Sequence, residues 1–206
     1  MTDPTRYPIP AAVHRAELVV ERSRFVATLA HAATTADAQA VIAAVRAEWP
    51  DATHHCTAWV AGPPGSSTHI GMSDDGEPHG TAGRPMLQVL LHAPVGEIVA
   101  VVTRWYGGTK LGTGGLARAY AGTVELALRD LPTTERITWA TLDLALGYGH
   151  VDAIRRLLPE FEAELLDEDY GAAVSYRVRL PEPELERFRA AVRDATRGEA
   201  EVVAGE

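Results

Sequence analysis

The sequence predicts an α+β fold in two domains, residues 1–132 and 133–206. Three observations carry that expectation. Strand-like and helix-like segments are mixed along the whole chain. A near-continuous apolar run in "GEIVAVVTRWYGG" (96–108) marks a central strand. After Pro132 the alternation restarts and completes a second set of elements, so the junction falls near 132–136. With 206 residues, 46% of them apolar, the chain can bury a sizeable core.

The elements follow in order. "ELVVERSRFVATLA" (17–30), rich in Val, reads as a hairpin turning near Arg22 and Ser23. "TADAQAVIAAVRAEWP" (35–50) reads as a helix with Thr35 as N-cap; Val41, Ile42, Val45 and Trp49 share a face, and Pro50 stops it. "HHCTAWVAG" (54–62) is a strand closed by "GPPGSS", and "THIGMS" returns as a short one. "PMLQVLLHA" (85–93) is a short helix with Pro85 in its first turn. A longer helix runs from about Gly115 to Leu131, with Leu116, Tyr120, Val124 and Leu128 on one stripe. The helices 35–49 and 114–131 are expected to cover the sheet of the first domain.

Beyond Pro132, "ITWATLDLALGY" alternates as a strand, and "GHVDAIRRLLPE" is a helix. "AELLDEDY" and "AAVSYRVRL" form a hairpin around Gly171. "PELERFRAAVRDATR" is a helix and "EAEVVAG" a last strand. This is the β-α-β-β-α-β order of a ferredoxin-like domain, one antiparallel sheet with two helices on one face.

Composition narrows the function. No run of 18 apolar residues appears, so no membrane partner is expected. The N-terminus lacks a basic-then-apolar leader, and Cys56 is the single cysteine, which together point to a cytoplasmic protein. The net charge of -9 disfavours nonspecific binding to nucleic acid. That charge is uneven. Residues 1–132 carry 12 acids against 10 Lys/Arg, and residues 133–206 carry 16 acids against 9 Arg. A local anion site in the first domain is therefore compatible with an acidic whole.

"WYGGTKLGTGGLARAY" (105–120) sets five glycines between a buried strand and an amphipathic helix. Glycine lets a ligand approach the backbone, and a helix N-terminus supplies unpaired N–H groups and positive potential. These are the ingredients of an anion site. Its candidate residues are Arg104, Gly107, Gly108, Lys110, Gly112, Gly114, Gly115 and Arg118, and Lys110 is the only lysine in the chain. Neither a P-loop nor a GxGxxG fingerprint is present, and no cofactor is expected. The same glycines would equally serve a plain strand-to-helix connection.

"DDGEPHGTAGRP" (74–85) holds three acids and a histidine around an Asp-Gly turn. Asp74, Asp75, Glu77, His79 and Arg84, with His54 and His55 of the preceding strand, are candidate cleft residues. The acids are read as turn-formers and anion-site neighbours rather than metal ligands, because turn hydrogen bonds compete with a converging cage. Cys56 in an apolar strand is read as a small core residue rather than a nucleophile.

Four ordered pieces, "RSRF" (22–25), "DATHHCTAWVAG" (51–62), "SDDGEPHGTAGRPML" (73–87) and "VVTRWYGGTKLGTGGLARAYAG" (101–122), make the sequence resemble the YigZ/IMPACT family. The resemblance covers most of residues 17–130. It implies a first domain similar to domain 2 of ribosomal protein S5, and a second, ferredoxin-like domain similar to one in elongation factors. Eukaryotic relatives regulate translation but carry an extra partner-binding domain that this two-domain layout lacks. The resemblance implies a small residue at the position that His79 occupies.

The resemblance implies a translation-associated regulatory binding protein, contacting RNA, ribosome or a translation factor through the glycine-loop anion site. The alternative is an enzyme acting on a phosphorylated small molecule with the acidic and histidine residues of the cleft.

Overall fold

The computed structural model describes residues 5–205. They divide into two units, the first ending at Arg136 and the second beginning at Ile137. The protein is α+β throughout.

In the first unit β1 (Arg6–Pro10), β2 (His14–Val20) and β3 (Ser23–His31) precede α1 (Thr35–Glu48). Then come β4 (His54–Val60), β5 (Ile70–Ser73), α2 (Gly83–His92), β6 (Ile98–Trp105), α3 (Gly112–Arg129) and β7 (Thr133–Ile137). The main sheet has the order β2-β3-β6-β4-β5, and every pairing in it is antiparallel. β6 sits in the middle because nearly every residue in it is apolar and buried. Its side chains alternate. Val99 and Val101 pack with Ile42 and Val45 of α1 on one face. Ile98, Ala100 and Val102 pack with Met86 and Leu90 of α2 and with Leu116, Tyr120 and Val124 of α3 on the other.

Local chemistry sets the boundaries. α1 is capped by Thr34, one residue before the position read from sequence. Its hydroxyl accepts from the Asp37 amide (3.1 Å), and the Asp37 carboxylate accepts from the Thr34 amide (2.9 Å). This is a reciprocal capping box. The β2–β3 hairpin turns on Glu21 (φ 46°) and Arg22 (φ 64°), both left-handed without being glycine. α3 starts at Gly112, earlier than its apolar stripe suggests.

β1 and β7 form a separate two-stranded sheet. The sequence reading missed β1, because "RYPIP" carries two prolines. Such a strand is tolerated where only one side is paired. Residues 133–136 were assigned from sequence to the second domain, yet they pair with β1 in the first unit. Glu97, buried and at φ 47°, ties this ribbon to the sheet. It accepts from Tyr7 (2.8 Å) and Arg136 (3.2 Å), and lies 2.6 Å from His31 Nε2. Burial works against the Glu97 charge, but the His31 and Tyr7 bonds and the Arg136 charge hold its carboxyl below the usual range.

The second unit holds β8 (Trp139–Leu146), α4 (Val151–Leu157), β9 (Glu164–Tyr170), β10 (Val174–Pro181), α5 (Leu185–Thr196) and β11 (Glu201–Ala204). The order β11-β8-β10-β9, antiparallel throughout, is the split β-α-β arrangement. Leu142, Leu144 and Leu146 of β8 meet Val174, Tyr176 and Val178 of β10 beneath Ile154 of α4 and Phe188 of α5. Both helices therefore lie on one face. No helix among the described residues is long and apolar enough to cross a membrane.

Candidate functional site

The turn at Asp75 (φ 44°) and Gly76 (φ 87°) sends three neighbouring carboxylates in three directions. Asp74 reaches the start of α2, which has no capping side chain of its own. It accepts from the amides of Gly80 (2.7 Å), Gly83 (2.9 Å) and Ala82 (3.0 Å). Asp75 accepts from Arg46 of α1 and from the His55 amide, both at 2.6 Å. Glu77 turns into the core, where Oε1 accepts from Arg104 Nη1 (2.5 Å) and the Tyr120 hydroxyl (2.7 Å). All three acids are thus committed to holding the fold, and they do not form a free acid–base set.

Burial opposes the Asp74 charge, but the three amide bonds outweigh it and hold the carboxyl below the usual range. The depressed group stabilises the fold fully above the unfolded value near 4, and that contribution fades as pH falls through the folded value. Asp74→Asn should therefore be destabilised by about 1–2 kcal/mol near neutrality, as for a lost helix cap. The gap to wild type should close below about pH 4. Urea unfolding across pH checks this; a constant gap would mean that the charge is irrelevant.

The glycine loop is built against the β2–β3 hairpin. A Cβ on Gly107 would lie 2.1 Å from the backbone of Arg22, so only glycine fits. The Gly107 amide donates to Ser23 Oγ (3.1 Å), which also receives Arg104 Nη2 (3.4 Å). Phe25 lies under the Arg104 guanidinium (5.3 Å) and meets Tyr120 edge-on (5.2 Å between ring centres). All four motif stretches quoted above thus contribute residues to one locus.

At this locus a cleft of about 490 Å³ opens between the 74–83 loop and the start of α3. That volume is within the usual range for small-ligand pockets. Its walls include His54, Glu77, Arg104, Tyr106, Lys110 and the first turn of α3 at Gly112 and Thr113. α3 has no side-chain cap, so its first amides are unclaimed by one. Arg104 is buried, and its Nε has no hydrogen-bond partner among the described residues.

The other candidate residues lie elsewhere. Asp74 and Asp75 stand behind the cleft in the bonds just described. His55 is on the opposite face of β4; burial, then the Arg46 charge, pushes its pKa down. His79 is fully exposed, 3.8 Å from Asp74, and Arg84 is exposed on α2. Gly107 and Gly108 shape the loop, with Gly108 at φ 89°. Gly114 and Gly115 lie in the first turn of α3. Arg118 lines a separate hollow of about 590 Å³ with Leu18, Val20 and Gly115, and Lys110 borders both hollows.

Cys56 is buried in the core, donates to the Asp74 carbonyl (3.0 Å), and is pushed up to about 12 by burial. Such a thiol is not a nucleophile at neutral pH.

Sequence reasoning missed Tyr106 and Thr113. Tyr106, which follows Trp105, is 46% exposed at the cleft mouth. Strand alternation separates the pair: Arg104 and Tyr106 point to the cleft. Trp105 lies under the Arg24 guanidinium (4.5 Å) and meets Trp49 edge-on (5.6 Å between ring centres).

These features define a two-domain α+β protein with a cleft at a glycine loop. Residues 21–128 match the Impact N-terminal domain, and residues 144–199 match a domain of unknown function, DUF1949. The chain is 46% identical to the IMPACT family member YigZ of Escherichia coli, over 95% of this chain and 96% of that protein. It is 36% identical to the IMPACT family member YvyE of Bacillus subtilis, over 92% and 87%. A crystal structure of "an hypothetical protein" superposes with a TM-score of 0.67 at 44% identity, covering 98% of both chains. The chain belongs to the IMPACT family.

Proposed function

We propose that this is a translation-associated regulatory binding protein that holds the phosphate of a nucleotide or RNA in the cleft of its first unit. One observation carries the reading. Lys110, the only lysine, and the uncapped first turn of an 18-residue helix share the wall of a ligand-sized cleft. Lysine supplies a mobile charge and the amides supply directed donors, the combination that suits a phosphate. The carboxylates that would repel an anion are neutralised in place by Arg46, Arg104 and backbone amides. The net charge of -9 argues for a local contact rather than a broad nucleic-acid surface.

Fluorescence anisotropy with a short single-stranded RNA, competed by mononucleotides and inorganic phosphate, tests this. Lys110→Ala should weaken binding about tenfold and reduce the salt slope by about one, leaving the melting temperature nearly unchanged. Equal binding to wild type and variant, or none to either, would remove the cleft as the anion site. Competition by mononucleotide as strong as by RNA would mean that one nucleotide fills it.

A further inference from the structure

We infer that His54 selects a ligand with a hydroxyl beside its phosphate, so that the cleft takes a ribonucleotide in preference to its deoxy counterpart. This rests on the anion-site reading above and goes further, to the sugar. His54 opens β4 directly beside Arg104, its cross-strand partner on β6. Its Nδ1 lies 2.7 Å from the Asp75 carbonyl oxygen. A carbonyl only accepts, so Nδ1 carries the proton, and in the neutral ring Nε2 presents a lone pair. The turn fixes this tautomer, and a Cβ at Gly76 would come within 3.4 Å of the imidazole.

Around His54 the wall combines apolar surface from Pro78, Leu111 and Leu116 with a few donors, Lys110, Arg104 and the first turn of α3. Glu77 lies 3.9 Å from Nε2, but its side chain is 4% exposed and already bound by Arg104 and Tyr120. His54 keeps 21% exposure and so supplies an acceptor that a ligand can reach. An ionised phosphate ester has no proton to give it. The hydroxyl next to the phosphate on a ribose does, and this group distinguishes ribose from deoxyribose. Tyr106 makes the occupant a nucleotide rather than a bare sugar phosphate. Arg104 lies 5.4 Å from its ring centre, and the ring remains 46% exposed, a platform on which a base stacks.

The test compares adenosine 3′-monophosphate with its 2′-deoxy analogue by calorimetric titration of the full chain, with inorganic phosphate as a third probe. Wild type should favour the ribonucleotide by about five- to tenfold, the contribution of one hydrogen bond. His54→Asn can still reach the Asp75 carbonyl but has no atom at the Nε2 position, and should bring the ratio to about one. His54→Gln restores an acceptor near that position and should recover part of the preference. Equal wild-type affinities, or an unchanged ratio in His54→Asn, would overturn the assignment while leaving the anion site standing. Failure of wild type to bind any of the three probes would overturn both.

Discussion

Glu77→Ala should destabilise the first unit by about 3–5 kcal/mol, the usual consequence of removing one partner from a buried ion pair. The pair is well enclosed. The side chains of Glu77 and Arg104 are 4% and 6% exposed, and Glu77 Oε1 also takes the Tyr120 hydroxyl. Truncation leaves a guanidinium in the core beside Phe25, with one hydroxyl, Ser23 Oγ, at 3.4 Å. The double variant Glu77→Leu/Arg104→Met should recover much of the loss, since it leaves no unpaired charge. Urea unfolding followed by tryptophan fluorescence measures both, and Trp49, Trp59 and Trp105 report on this unit. A single-variant loss below about 1 kcal/mol would be that of a solvent-screened pair and would contradict the burial.

Gly107→Ala should be nearly as severe, at about 2–3 kcal/mol, the upper range for overpacking. The added methyl would meet Arg22 C and O at 2.1 Å and Ser23 N at 2.4 Å. These are backbone atoms and cannot rotate aside. The hairpin they belong to is already held in left-handed conformations at Glu21 and Arg22. The loop and the hairpin must therefore separate. Gly108→Ala is the control. It finds no atom within 4 Å but sits at φ 89°, so only its conformation is penalised, by about 1–2 kcal/mol. Denaturation midpoints of the two variants check the order. Amide exchange in residues 20–25 should rise in Gly107→Ala; unchanged exchange there would count against the loop–hairpin contact.

Much of this arrangement was legible because it is local. The β6 run, the apolar stripe of α3 and the Asp-Gly turn each declare themselves within a dozen residues. Partner choice did not. Asp75 pairs with Arg46 and Glu77 with Arg104, 29 and 27 residues away, and no local pattern selects those arginines from the others. Arg118 is a different case. It was joined to Lys110 on proximity in sequence, but helical period places it roughly half a turn around α3 from Gly112, Thr113 and Leu116. The sequence held that information, and counting the period would have sent Arg118 to the neighbouring hollow. Tyr106 was recoverable in the same way, two residues from Arg104 and hence on its side of the strand.

Eighteen of the nineteen Lys/Arg side chains in the chain are arginine, so Lys110 is its single ε-amine. The fold places that amine on the rim shared by two hollows. Acylation of lysine removes the charge, whereas arginine escapes that chemistry. In most proteins such a modification is diluted over many sites and tunes charge by degrees. Here it has one side-chain address, so the same reaction on a side chain acts as a binary mark at this rim.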